Sequence, residues 1–372
     1  MVIFIGSGRD FHAIDWYRTV KKVCPGMKTL FATDLIESEG HAKIITDKDD
    51  IINLYNIDSL MLKNQSLLGD LWRNIIKLLV FPFQIGKLRR LAKRHPEAIF
   101  HAHTMYYMFI SWIAGIKFIG TPQGPDVLVR PFTSKIYKYF AVKSLQAADS
   151  IIIDSINLQN VILKLAGKQS TVIQNGIDVI KIAEQENLVT GKRDKIVSIR
   201  ALYENYRIVE IFDSRNHMVN PPPLYYFYPF WEDKYKARIL SKSRTGDKDL
   251  GRFVKKNEMY EFLSTTMLAI SIPESDSSPR SVYEAIFCGC CVAVTYNPWI
   301  DSLPNCMRSR VFIADINDDS WLEKAINHAE IVIKEPFVPS EEALGIFDQE
   351  KSMRKVAEFF YLKNELTTHN GL

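Results

Sequence analysis

A chain of 372 residues is too long for one hydrophobic core, and its 47% hydrophobic and 24% charged content is that of an ordinary globular protein of about two domains. The formal net charge of +4 is near balance, and no recognition module is visible, which argues against a nucleic-acid partner. No uninterrupted apolar run is long enough to span a bilayer, Met1 leads into a strand without the features of a signal peptide, and the five cysteines have neither disulfide nor zinc spacing. Cys288, Cys290 and Cys291 read as buried small hydrophobes in a reducing cytosol.

Taken in chain order, strand and helix patterns alternate. Val2–Ile5 reads as a strand, followed by Gly6-Ser7-Gly8-Arg9 and an amphipathic stretch over 13–23. Short strands are expected at 29–32 and 98–101, the latter after a helical pattern over 71–94 that Pro82 should kink or break. Strands at 118–121 and 150–153 come next, and Asp154-Ser155 caps a helix running to residue 165. Val172-Ile173 then leads into Asn175-Gly176-Ile177-Asp178. A second set of strands is expected at 196–199, 224–228, 269–272, 292–295 and 311–313, and residues 348–362 have helical spacing, with Met353, Val356, Phe359 and Phe360 on one face. The alternation predicts an α/β chain of two doubly wound parallel sheets. Ligands of such sheets bind beyond the carboxyl ends of the strands, with the cleft between the halves favoured.

The stretch 271–295, SIPESDSSPRSVYEAIFCGCCVAVT, carries the most chemistry. It reads as a strand, an acidic loop, a helix with Ser278 as N-cap and Pro279 at the first helical position, and a second strand after Gly289. A helix start of this kind directs unpaired amides, here those of Arg280 and Ser281, at an anion. Asp276 lies just outside it and Glu284 further along, with seven residues between them. The layout suits a ligand with both phosphates and sugar hydroxyls.

This block resembles the donor-site signature of family 4 retaining glycosyltransferases, enzymes of the GT-B fold. The resemblance implies that Asp276, standing where the family more often has Glu, touches hydroxyls of the transferred sugar, and that Glu284 binds the nucleotide ribose. Other blocks are similar in the same order. Residues 147–155 resemble the last N-domain strand, 172–178 the approach to the C-domain, and 196–200 its first strand, ending in Arg200 as a contact to the donor diphosphate. Residues 254–259 match the segment ahead of the acid loop. The family's glycine loop near the diphosphate and acceptor falls on Gly6 and Gly8, with Arg9 adding charge; a plain turn is the competing reading.

The chain also departs from the pattern. The family's lysine and glycine after the arginine are Asn205 and Tyr206 here, so a phosphate charge is missing. Arg207 either substitutes for it or is a surface residue on a helix. The histidine that contacts the donor sugar is replaced by Gln123, which can hydrogen-bond hydroxyls but cannot titrate; Asp126 is then the better candidate base, or else a turn acid. In retaining transfer the leaving phosphate can itself take the acceptor's proton. Of His101 and His103, one reads as a core histidine and His103 as the functional one, with no third ligand for a metal. The run 225–231, YYFYPFW, is strand and core, or a stacking face for a base or sugar. Asp247-Lys248-Asp249 spells a metal motif of another glycosyltransferase fold but lies in a charged, loop-like context, and no metal cofactor is expected.

On the acceptor side, Trp72, Arg73, Lys77, Lys87, Arg89, Arg90, Lys93 and Arg94 lie in a stretch without acids, and Arg130, Lys135, Lys138 and Lys143 alternate with Phe132, Tyr137, Tyr139 and Phe140. Basic amphipathic surfaces of this kind bind anionic membranes; an ordinary solvated helix face is the alternative. The expectation is a GT-B protein of two Rossmann-like domains facing across a cleft: residues 1–176 on the acceptor side, 177–345 binding the nucleotide sugar, and a C-terminal helix within 346–372 returning to the first domain. Its expected activity is retaining transfer of a hexose-type sugar from a nucleotide-diphosphate donor to a glycan or lipid-linked acceptor. The product would be a cell-surface polysaccharide, lipopolysaccharide or glycolipid, made in the cytoplasm at the inner face of the membrane. A sugar-nucleotide epimerase of the same fold and a non-catalytic relative that binds a sugar nucleotide or a partner enzyme are the alternatives.

Overall fold

The computed structural model describes residues 1–36, 50–60, 67–186, 191–253 and 255–362. The chain divides into two compact units, one comprising Met1–Asn175 with Gln349–Leu372, the other Gly176–Asp348. In the first unit the described strands are β1 (Val2–Ile5), β2 (Thr29–Thr33), β3 (Ile51–Asn53), β4 (Ile99–His103), β5 (Ile119–Thr121), β6 (Ser150–Ile153) and β7 (Thr171–Val172), in the order β3-β2-β1-β4-β5-β6-β7. In the second they are β8 (Lys195–Ser198), β9 (Leu224–Phe227), β10 (Lys248–Gly251), β11 (Thr266–Ser271), β12 (Cys291–Val294) and β13 (Val311–Ile313), in the order β10-β9-β8-β11-β12-β13. The pairs in both sheets are parallel. In each sheet the order reverses beside the unit's first strand, and there the two chain directions diverge to leave a crevice at the carboxyl ends. These crevices lie past β1 and β4 in one unit and past β8 and β11 in the other.

The strands are apolar on both faces because helices cover both. β1 and β11 are buried at every position. One core of the first unit joins Phe4 and Phe31 to Trp16, Tyr17 and Val20 of helix Phe11–Val23, and to Met353, Val356 and Tyr361 of the C-terminal stretch. Helix Gln349–Val356 therefore packs within this unit, and Lys22 pairs with Glu350 at its start. The cysteines behave as small core residues, with Cys288, Cys290 and Cys291 fully buried and all five free.

Three local expectations are corrected. The helix Leu67–Arg94 continues through Pro82 without a break. The Asp247-Lys248-Asp249 stretch is not a loop: it opens edge strand β10, and Asp247 accepts a two-pronged contact from buried Arg215, both distances 2.6 Å, together with the N–H groups of Leu224 and Arg244. An edge strand tolerates this polarity because one side of it has no neighbour to bury. The helix of the acid loop is Arg280–Phe287 with Pro279 rather than Ser278 at its N-cap, and the Ser278 hydroxyl lies 3.4 Å from that of Tyr283. Within 254–259, Val254 lies outside the described residues, and helix Lys256–Ser264 follows it. The aromatic run is strand and core as far as Tyr228, after which Phe230 and Trp231 are exposed.

Candidate functional site

In the second unit, the crevice past β8 and β11 gathers the residues of the acid loop. Arg200 follows β8 directly; its Nη2 lies 2.7 Å from Asp276 Oδ2, and its Nη1 donates to Ser281 Oγ at 3.3 Å. Both side chains of the ion pair are largely shielded, 12% exposed for Arg200 and 14% for Asp276. The pair is close but poorly aligned: Asp276 Oδ2 is buried with no hydrogen-bond donor directed at it among the described residues. A buried acceptor left short in this way costs about 1–3 kcal/mol until a donor arrives. Arg280 and Ser281 are the first two residues of helix Arg280–Phe287, where amides have no intrahelical partner.

One turn on, Glu284 is buried, and Lys256 Nζ (3.0 Å) and the Tyr260 hydroxyl (2.9 Å) both donate to its Oε1. Burial alone would push its pKa up. The charges of Lys256 and Arg280, with the two hydrogen bonds, outweigh this and hold it below the ordinary 4.5. Glu284 is thus an ionised acceptor. Arg207 lies neither on a helix nor against Arg200. It adopts a left-handed backbone (φ 53°) ahead of helix Ile208–His217, and its Nη2 lies 3.5 Å from Glu274.

In the first unit the candidates take different positions. Gly6 follows β1 because a Cβ there would come within 3.1 Å of Ala13 Cβ, and the amide of Gly8 is spent on Thr33 Oγ1 at 2.9 Å. Arg9 pairs with Asp58 at 3.7 Å. Asp126, the candidate base or turn acid, is engaged within the fold: its carboxylate accepts from the backbone of Met105 (2.9 Å) and Gln123 (3.4 Å), from Arg130 (3.0 Å) and from the Tyr137 hydroxyl (3.2 Å). It is a buried joint between two helix starts. Both histidines are buried, their rings stacked 4.4 Å apart, and His103 Nε2 has no hydrogen-bond partner among the described residues. His101 lies between Tyr361 Oη (2.5 Å) and Thr121 Oγ1 (2.7 Å). Burial lowers the pKa of both, with His103 down to about 3 and further opposed by His12. Next to His103, Thr104 has φ 67°, a left-handed conformation rare for a β-branched residue.

Gln123 does not project alone. Its Nε2 donates to Asp10 Oδ2 at 2.8 Å. Asp10 was missed in the sequence, although an acid directly ahead of an amphipathic helix is an N-cap signal; its Oδ1 accepts from His12 N at 3.0 Å. Burial, with the charge of Asp126, raises its pKa to about 6 against three opposing hydrogen bonds. Lys256 and Tyr260 were missed as well, and no spacing rule marks them. Among the described residues no group of three or more His, Cys, Asp or Glu side chains could hold a metal ion.

Comparison with known proteins follows the same lines. The sequence profile for Glycosyltransferase Family 4 matches residues 69–181. Compared by sequence with curated proteins, the chain matches none. Among solved structures it is similar to HepE of Anabaena in complex with UDP (14% identity, 99% of each chain covered, TM-score 0.69). It is also similar to the sucrose-phosphate synthase of Thermosynechococcus elongatus (11% identity, 99% of each chain, TM-score 0.74). A third likeness is to the α,α-trehalose 6-phosphate synthase of Burkholderia multivorans (12% identity, 100% of this chain and 99% of that one, TM-score 0.69). At such identities the likeness is one of fold, and the fold is GT-B.

Proposed function

We propose that this chain, a GT-B protein carrying a family 4 glycosyltransferase segment, is a retaining glycosyltransferase that moves a hexose-type sugar from a nucleoside-diphosphate donor to a glycan or lipid-linked acceptor. The observation that supports it most is the grouping of Arg200, Asp276, Ser281 and Glu284 around one helix start, with Asp276 Oδ2 short of a donor. A sugar hydroxyl would satisfy Asp276, a ribose hydroxyl would reach Glu284, and Arg200 with the first amides of the helix would face the diphosphate. Breaking the anomeric bond builds negative charge on the departing phosphate, and donors fixed beforehand at that position lower the barrier most. Uridine is the base to try first, because structures of HepE are complexes with UDP and with UDP-glucose.

The acceptor side of the proposal rests on surface chemistry. Helix Leu67–Arg94 exposes Leu78, Leu79 and Phe83 together with Arg90, Lys93 and Arg94, and helix Lys135–Ala147 exposes Ile136 and Tyr139 beside Lys135, Lys138 and Lys143. Not every cation is available. Arg89 donates to the carbonyls of Ile113 and Ala114, Lys77 lies over the Tyr106 ring, and the side chain of Arg73 lies outside the described residues. No helix among the described residues is long and apolar enough to cross a membrane. The reading is peripheral contact with an anionic leaflet, in the synthesis of a surface polysaccharide or glycolipid.

A non-catalytic relative is the second reading, supported by Gln123 being committed to Asp10 and by Asn205 in place of a cation. Calorimetric titration with UDP, GDP, CMP and ADP, with Glu284→Ala alongside, tests the donor site. One ligand is expected to bind selectively and to lose at least about tenfold in the variant, the scale of one charged hydrogen bond. Binding without release of UDP from UDP-glucose in the presence of acceptor lipid extract would favour the non-catalytic reading, and no binding by any nucleotide would overturn the donor site.

A further inference from the structure

Arg200 has a third neighbour besides Asp276 and Ser281: its guanidinium carbon lies 4.5 Å from the ring centroid of Tyr206. Tyr206 closes the short turn Glu204–Tyr206, and its other contacts are with the apolar core beneath β8 and β9. Two features hold this turn against the acid loop. The amide of Glu274 donates to Asn205 O at 2.8 Å, and Arg207, in its left-handed conformation, reaches Glu274 Oε1. A non-glycine residue in that conformation persists only where its surroundings hold it.

We infer that Tyr206 is a positioning residue for the diphosphate of the donor, its ring a platform that keeps Arg200 in place when an anion arrives. The inference rests on the donor-site reading given above. Asp276 and a diphosphate are both anions and compete for the same guanidinium, so a bound diphosphate weakens the ion pair that now fixes Arg200. The ring contact is neutral, and an incoming phosphate does not compete for it. A guanidinium free at one end would have to surrender its rotamer freedom on binding, whereas one already seated on a ring has surrendered it on folding. Because Asn205 supplies no second cation, the placement of this one decides more of the diphosphate affinity.

The test compares Tyr206→Leu, which keeps apolar bulk against the core but removes the aromatic face, with Tyr206→Phe, which keeps the face and removes only the hydroxyl. Each is titrated with UDP, GDP, ADP and CDP and with the matching monophosphates, after thermal melting confirms folding. The expected result is that Tyr206→Leu loses roughly 3- to 10-fold of its preference for diphosphate over monophosphate, the scale of a cation–π contact. Tyr206→Phe stays within about twofold of the parent. Equal weakening of both nucleotides would show a merely structural role and overturn the proposal, as would an unchanged preference in the leucine variant or equal losses in both variants. In all three cases the donor site stands. If the parent binds no diphosphate, the donor-site reading and the platform fall together.

Discussion

Two shielded aspartates, one in each unit, lie at helix starts and face an arginine, yet they are in opposite states. Asp126 accepts from four donors, two of them backbone, and binds Arg130 at 3.0 Å. Asp276 lies closer to its arginine, at 2.7 Å, but Oδ2 has no aligned donor. Other buried polar groups of the first unit are mixed: Asp34 is bound by the Tyr107 hydroxyl and Gln84, and His101 is held between two hydroxyls, whereas His103 Nε2 has no hydrogen-bond partner among the described residues. Near β8 and β11 Glu284 is firmly bound by Lys256 and Tyr260, and the unused valence is that of Asp276 Oδ2. A saturated buried carboxylate builds structure, whereas an undersatisfied one beside a cation is ready for a ligand. The motif that names an acid does not say which kind it is.

The largest effect expected from this contrast is acid lability of the first unit. His101 and His103 are neutral in the fold, with pKa values depressed by burial, so below about 6.5 the unfolded chain binds more protons than the native one. Stability is therefore complete above that pH and is lost as pH falls, by at most about 1.4 kcal/mol per pH unit for each histidine that stays neutral. Urea titrations at pH 7 and pH 5 measure it, with His103→Phe expected to remove about half of the slope. A pH-independent midpoint would mean that the pair is not held neutral.

Next comes the contrast itself. Asp126→Ala strands four donors and is expected to cost about 3 kcal/mol, lowering the thermal midpoint by roughly 6–12 °C while leaving nucleotide affinity unchanged. Asp276→Ala should do the reverse, with stability within about 1 kcal/mol of the parent and donor turnover down roughly 100-fold, since it removes a contact made to the reacting sugar. If both variants lose stability alike and neither changes turnover, the distinction between spent and available carboxylates is broken.

These states were only partly legible in the sequence. Apolar runs marked most strands, and the marked order already implied two doubly wound sheets. β3 and β10 escaped because Ile51–Asn53 is three residues long and Lys248–Gly251 carries charges that only an edge strand accommodates. Pro82 was expected to kink or break the helix because the rule concerns an isolated one, whereas the helix Leu67–Arg94 is held by tertiary packing and does not break. Asp276 and Glu284 stood out by spacing, a local property. The partners that set their states come from elsewhere: Lys256 and Tyr260 from another helix, Arg200 from the end of β8. Asp126 was named for its chemistry, and only the fold shows that Met105, Arg130 and Tyr137 use it up.

Asp10 sharpens the comparison with the smallest effect. It lies between the two extremes, partly exposed, with one oxygen on the His12 amide and the other on Gln123. Its pKa is raised to about 6, the opposite sense to Glu284, so between about 4 and 6 the native state holds a proton that the unfolded chain has released. Its contribution therefore falls as pH rises through that window and is flat above it. The histidine pair moves stability the other way over the same range, so the measurable quantity is the difference between Asp10→Asn and the parent rather than either curve alone. Asparagine caps a helix as well as aspartate does, which isolates the charge. The variant should gain on the parent progressively from pH 4 to 6 and then remain about 1 kcal/mol more stable, solvent screening having reduced the full effect of the shift. An advantage that does not change with pH would instead make Asp10 an ordinary solvated cap.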